Sequence, residues 1–375
     1  MNHRERVRAV MHYEKYDRMP LVAFGYWAET VDKWADEGHI TRETADLYAK
    51  TGDNGPADRA IMDKLGFDFS WQSCFSGHNG LKPGFEPRVL EVEKDGSQIV
   101  LESTGHIVRI KPGLDSIPGE LGSLLTDRES WERDFLPKLQ YSEDRIPKAA
   151  IEKLVAENET REYPLWLHCG SLYGKVRDML GVVQLSYLMA DDEDLYAEVI
   201  DTVANLAYKV AEETLKIGAP FDGAHFWEDI CFKNGPLVSP RVFAEYVGPH
   251  YRRFADLLNS YGIDQISLDC DGCIDKLVPI WLENGVNTMF PIEVGTWNAS
   301  IAPWREKYGR ALKGVGGMDK RVFACDKAAV EAEIERLKPL VDLGGYIPCP
   351  DHRIPPDAKF ELVAYYCELY RKAFG

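Results

Sequence analysis

The chain predicts an α/β fold, a (β/α)8 TIM barrel with a small antiparallel hairpin insertion, on three observations. Eight short apolar runs each end in polar residues, long amphipathic stretches separate the later runs, and one segment breaks that rhythm with apolar and polar residues in alternation. Barrels of this kind run past about 250 residues as one unit, so 375 residues fit a single barrel domain spanning the whole chain. An open doubly wound sheet is the rival architecture.

In chain order the candidate strands begin with RMPLVAFGYW (18–27) and GFDFSWQSC (66–74). RVLEVEKDGSQIVLESTGHIVRIKPG (88–113) then alternates around Asp95-Gly96, a turn signal, and reads as an antiparallel hairpin or meander. About 25 residues cannot bury a core of their own, so this insertion is expected as a flap beside the barrel mouth. YPLWLHCGS (163–171), FDGAHFWED (221–229), DQISLDCDG (264–272), VNTMFPIEV (286–294), ALKGVGGMD (311–319) and GGYIPCPDH (344–352) complete the eight. Between them, residues 192–218 form a helix that opens on acids and stops at Gly218. Residues 239–262 form another, with Ser239 as N-cap and Pro240 in the first turn. The chain shows no internal repeat beyond this alternation and no Ser/Gly linker.

The 44 basic and 61 acidic residues leave a net charge of −17, which argues against a nucleic-acid partner. No run of roughly 18 apolar residues suits a membrane span, and charges throughout the first thirty residues argue against a signal peptide. The expected compartment is the cytoplasm, where the eight cysteines are reduced thiols rather than a disulfide framework. GxGxxG after a strand, GxxxxGK[ST] and GxSxG are all absent, which demotes nicotinamide redox, P-loop hydrolysis and α/β-hydrolase chemistry.

Barrel chemistry comes from the C-terminal strand ends, which here carry Tyr26, Trp27 and Glu29; Cys74; His168 and Cys169; His225, Trp227, Glu228 and Asp229; Asp269, Cys270 and Asp271; Glu293; Asp319; and Asp351 with His352. Any one acid there could simply cap the following helix, but capping does not explain acids beside His, Cys or Trp at five ends. Convergent carboxylates need protons, a metal or a cationic substrate for balance. Asp269 and Asp271 fall on one face of their strand, with Cys270 on the other, as suits metal ligation or a shared proton. His352 could complete a metal site with these two acids, or simply orient Asp351. Glu228, Asp229 and Asp271 are the candidate catalytic carboxyls. Tyr26, Trp27, His168, Trp227 and Glu293 are the candidate substrate contacts, within a mouth also rich in Trp34 and Trp71.

Several segments together resemble the uroporphyrinogen decarboxylase superfamily: the opening RERVRAVMHYEKYDRMPLVAFGYW, GSLYGKVRDMLGVVQLSYLM (170–189), WEDICFKNGPLVSPRVFAEYVGPHYRR (227–253), DCDGCIDKLVPIWLENGVNTMFPIEV (269–294), GGMDKR (316–321) and GGYIPCPDHRIPPD (344–357). The resemblance implies a (β/α)8 barrel and one of two activities, decarboxylation of a tetrapyrrole or methyl transfer involving corrinoid proteins. Decarboxylases of that superfamily carry an Arg-rich clamp after the first strand to hold an octacarboxylate, whereas GYWAETVDKWADEG (25–38) stands here. The zinc methyltransferases show His-x-Cys-Gly and a later Cys, where this chain has Asp269-Cys270-Asp271-Gly272 and His352. Asp and His are harder ligands, better matched to an oxygen-bearing substrate than to a thiol. The implied function is removal of a methyl group from a small methylated substrate, a methyl aryl ether or a methylamine, and its transfer to the cobalt of a separate corrinoid protein. No D-x-H-x-x-G motif is present, so the cobalamin is expected on the partner. Zn2+ at Asp269, Asp271 and His352 is the expected metal, and a homodimer the oligomer considered. A tetrapyrrole decarboxylase is the alternative, and a barrel that only binds a small ligand is a third reading.

Overall fold

The computed structural model describes residues 1–111 and 118–375. Its strands are β1 (Val22–Ala23), β2 (Phe69–Ser70), β3 (Cys74–Phe75), β4 (Arg88–Val92), β5 (Gln98–Leu101), β6 (His106–Ile110), β7 (Gly119–Ser123), β8 (Trp166–His168), β9 (Gly223–Trp227), β10 (Cys231–Phe232), β11 (Gly235–Pro236), β12 (Ile266–Asp269), β13 (Thr288–Ile292), β14 (Lys313–Met318) and β15 (Tyr346–Pro350). β3, β8, β9, β12, β13, β14 and β15 pair in that order, all parallel, and β1 pairs in parallel with β2. A parallel bridge between Tyr26 and Ile354, flanked by the Ile354 and Trp27 amides bonding to Gly25 and Ile354 carbonyls, closes the ring between first and last strands. Counting β2 and β3 as two pieces of one position gives the eight staves of the barrel.

These staves are buried on both faces because helices cover the outside and side chains fill the inside. Trp71 and Trp166 stack 4.4 Å apart within the ring, and the Trp71 indole donates to Ser267 Oγ at 3.2 Å. The barrel interior is thus packed below its mouth, and in such barrels chemistry is carried by the C-terminal strand ends.

The first two staves are far shorter than their apolar runs. Pro20 and a positive φ at Gly25 confine β1 to two residues, and a turn through Trp71, Gln72 and Ser73 splits the second stave. The segment 239–262 is two helices, Pro240–Tyr246 and Gly248–Ser260. Pro249 has no N–H to continue the first helix and suits the first turn of a new one, so the two helices meet at Val247. Ser239 sits at the N-cap but makes no side-chain cap bond. The helix Glu193–Lys216 matches expectation, with Asp192 accepting from the Leu195 N–H.

The insertion is larger than a hairpin: β4 to β7 form a four-stranded antiparallel meander, turning at Asp95-Gly96 as expected. Residues 112 and 113 of the expected segment lie outside the described residues. β7, with the sequence GELGS, has too few apolar residues to announce itself. The meander docks on the barrel through the Ser123 hydroxyl, which donates to the Met179 carbonyl (2.6 Å), and Glu120, which accepts from the Val182 N–H (2.9 Å). Both contacts lie on the helices that follow β8, beside the mouth. Among the described residues no helix is long and apolar enough to cross a membrane.

Candidate active site

The fourth, fifth and sixth staves end in acids that turn toward each other. Asp229 follows β9 with φ of +49°, a left-handed conformation that Asp tolerates better than most residues and that turns the chain sharply after the strand. Its Oδ1 accepts the Asp271 N–H at 3.2 Å. Asp229, Asp269 and Asp271 each bring a carboxylate oxygen within 4.8 Å of the others. Asp269 is buried and accepts from Gln72 Nε2 at 2.9 Å, while Asp271 is 37% exposed at its side chain. Burial and the two neighbouring acids push the Asp269 carboxyl well above the usual range. Burial, then Asp271, pushes Asp229 up to about 6. Glu293 is raised for the same reasons, and its oxygens accept from the Gly272 N–H (2.5 Å) and the Thr296 hydroxyl (2.7 Å).

Histidines face this cluster. His352 Nε2 lies 3.1 Å from Asp271 Oδ2, and its ring stacks with Phe24 at 5.0 Å and with Trp27 at 5.9 Å. His225 Nε2 lies 3.9 Å from Asp269 Oδ2. Burial pushes His225 down to about 3 and His168 down to about 4, so both rings are neutral near pH 7 and free to offer a lone pair or an N–H. Trp27, 42% exposed, and Trp227, stacked on the Arg177 guanidinium, flank the opening.

Three oxygens at such spacing cannot all stay ionised without a counter-charge. They fit a divalent cation: the donors are hard oxygens, Asp271 Oδ1 is buried without a hydrogen-bond partner, and neutral imidazoles stand close by. The structure gathers Asp229 with the expected Asp269 and Asp271, and places the expected His352 against Asp271. The left-handed turn at Asp229 brings its carboxylate in, whereas His352 serves as hydrogen-bond partner of one acid.

Two further expectations move out of the site. Glu228 is fully buried and faces away, accepting from the amides of Leu172 (2.9 Å), Tyr173 (2.9 Å) and Gly174 (2.6 Å), the Ser171 hydroxyl (3.1 Å) and the Tyr251 hydroxyl. It is an anchor for the start of the helix Gly174–Leu180, and a Cβ at Gly174 would lie 2.1 Å from the Glu228 carbonyl oxygen. Tyr26 is buried against Trp34 and Tyr48 beneath the first loop, and Trp34 and Trp71 are likewise core. Asp319 and Asp351 serve the backbone: Asp319 caps the following turn and pairs with Arg321, and Asp351 accepts the Gly295 and Lys320 amides. Gln72, Lys320 and Arg177, whose guanidinium bonds the Asp229 carbonyl, were not among the expected residues. Lys320 stands in the quoted GGMDKR at a strand end, whereas Gln72 lies in a turn that no pattern marks.

Comparison with known proteins bears on this arrangement. The uroporphyrinogen decarboxylase (URO-D) family matches residues 139–373. Among solved structures the chain resembles a methyltransferase from Methanosarcina mazei, with a TM-score of 0.59 and 15% identity over 99% of this chain and 98% of that one. A B12-independent methionine synthase from Shewanella aligns with a TM-score of 0.49 and 10% identity, over 95% and 98% of the two chains. No curated protein matches the sequence. With the family matching residues 139–373, well over half of the chain, the chain belongs to the uroporphyrinogen decarboxylase family.

Proposed function

We propose that the protein is a methyltransferase that demethylates a small substrate, a methyl aryl ether in preference to a methylamine, and passes the methyl group to the cobalt of a separate corrinoid protein. The observation that carries the reading is the triad Asp229, Asp269 and Asp271 at the mouth, beside His352, which stacks with Phe24 and Trp27. Such a mouth suits a neutral or cationic methyl donor and a flat ring, and repels a polyanion. Family membership and the likeness in fold to a methyltransferase support the same reading.

The three carboxylates would hold a divalent cation, Zn2+ in the first instance, and when bound it would supply Lewis-acid polarisation of the ether oxygen. The chain's own residues do the rest. Phe24, Trp27 and His352 form one wall against which an aromatic ring can stack. Asp271 and the His352 imidazole hold each other in register, and Gln72 keeps Asp269 turned inward. A methylammonium donor would instead pair its charge with the same acids.

The test is methyl transfer to a chemically reduced Co(I) corrinoid, followed by the cobalt spectrum, with aryl methyl ethers and methylamines in parallel, alongside metal analysis of the purified protein. We expect ether-dependent methylation, and roughly one divalent ion per chain that Asp229→Ala and Asp271→Ala both lose. Failure of every methyl donor to react would overturn the reading.

A further inference from the structure

Lys320 follows β14, the seventh stave, and so lies between Glu293 at the sixth and His352 at the eighth. Asp351 fixes its backbone: one carboxylate oxygen accepts the Lys320 N–H at 3.2 Å and the other accepts the Gly295 N–H at 2.7 Å. The turn that carries Lys320 is therefore tied to the turn that carries Glu293. Neighbouring groups are already committed. Arg321 pairs with Asp319, Arg353 with Asp53, and Glu293 accepts from Gly272 and Thr296. The Lys320 side chain is half-buried, and its ammonium makes no hydrogen bond or ion pair among the described residues. Burial lowers its pKa, opposed by Asp351, Glu293, Asp271 and Asp319.

A half-buried cation without a partner is costly unless some anion meets it there. Every fixed acid nearby has other bonds or lies too far for an ion pair, which leaves an anion that exists only during turnover. We infer that Lys320 is a catalytic residue, donating a hydrogen bond and then its proton to the oxygen that leaves the methyl group. This rests on the methyl-ether reading above. The carbon–oxygen bond of the ether breaks with its electron pair going to oxygen, while the electron pair of Co(I) in the partner's corrinoid forms the new bond to the methyl carbon. The oxygen takes the Lys320 proton, giving the neutral phenol, and the amine regains a proton from water. A donor aimed at charge that develops only in the transition state raises kcat rather than substrate affinity.

Two measurements test this on wild type, Lys320→Met and Lys320→Arg. In the first, 4-nitrophenol is titrated into each protein, and the bound phenolate is read by its absorbance. Wild type is expected to bind the phenolate form and to ionise the bound phenol at lower pH than in free solution. Lys320→Met is expected to lose that preference, and Lys320→Arg to keep it. In the second, methyl transfer is followed from aryl methyl ethers whose phenols differ in acidity. Lys320→Met is expected to lose kcat by about 10²–10⁴-fold with the least acidic phenols and progressively less with more acidic ones. Equal kcat for variant and wild type across the series, or a change confined to KM, overturns the assignment; the KM-only result identifies Lys320 as an anchor for a fixed anionic group of the substrate. If wild type transfers methyl groups normally yet shows no phenolate preference, the role of Lys320 fails alone. If wild type neither transfers nor binds, the ether reading fails and takes the role of Lys320 with it.

Discussion

Asp58 shows how one buried acid couples the first loop to pH. It lies in the first turn of the helix Pro56–Leu65, with Oδ2 accepting the Asn54 N–H at 2.8 Å and Oδ1 buried without a partner, near a Tyr26 hydroxyl equally alone. Burial pushes its carboxyl up to about 6. The folded chain therefore holds this proton more tightly than the unfolded one, whose carboxyl titrates near about 3.9. The folded state has its full advantage below about pH 4, loses it as pH rises towards 6, and carries the whole cost of the buried charge above that. Asp58→Asn should leave stability unchanged near pH 4 and raise it at pH 8 by up to about 3 kcal/mol, compared by urea midpoints. An equal effect at both pH values would show that the charge is not the cause. At this scale the sequence reading and the structure both bring Asp269 and Asp271 together, although β12 ends at Asp269 and Asp271 lies in the loop beyond it. The sequence reading misplaced Glu228 and Tyr26, because the direction of a side chain just past a strand depends on which neighbouring amides it meets.

The elements that carry the site are short loops, and Gly272 is the position where one of them has no freedom. Its φ is +86°, and a Cβ there would lie 2.5 Å from the Cys231 carbonyl oxygen. Its N–H also donates to Glu293, so the residue after Asp271 joins the fifth stave's loop to the sixth. Gly272→Ala should displace Asp271, abolish metal binding and methyl transfer, and lower stability by roughly 1–3 kcal/mol, as read by metal analysis and thermal unfolding. Retention of metal by a folded variant would show that the loop has slack. All eight staves were visible as apolar runs, because parallel strands buried on both faces have no reason to alternate. The shortness of β1, the split of the second stave and the strand β7 were not visible, because they come from turns, Gly and tertiary hydrogen bonds rather than from hydrophobic pattern. The break at Val247 was readable in Gly248-Pro249, where a missing N–H outweighs a continuous amphipathic face.

For the whole molecule, charge separates the two activities the family fold could host. A net charge of −17 sets the far field, but what decides binding is which cations at the mouth remain free to meet an anion. Arg177 is bonded to Asp178 and the Asp229 carbonyl and stacked on Trp227; Arg321 is paired with Asp319; Arg353 is locked to Asp53. Each of these guanidiniums is already neutralised by the chain's own acids. Among the described residues, Lys175, Lys233, Lys276 and Lys320, which follow the third, fourth, fifth and seventh staves, make no ion pair. An octacarboxylate would thus meet Asp229, Asp269, Asp271 and Glu293 with single, scattered ammonium groups to oppose them. Each unpaired carboxylate placed beside a like charge in a half-buried site is strongly disfavoured. Uroporphyrinogen should therefore neither bind appreciably nor be decarboxylated at enzyme-like rates. Raising the ionic strength should weaken the repulsion without creating turnover, because screening removes the penalty and supplies no clamp. Coproporphyrinogen formation measured by fluorescence after oxidation is the check, and turnover comparable to a decarboxylase would mean that the acids of the mouth are protonated or metal-bound strongly enough to reverse its charge.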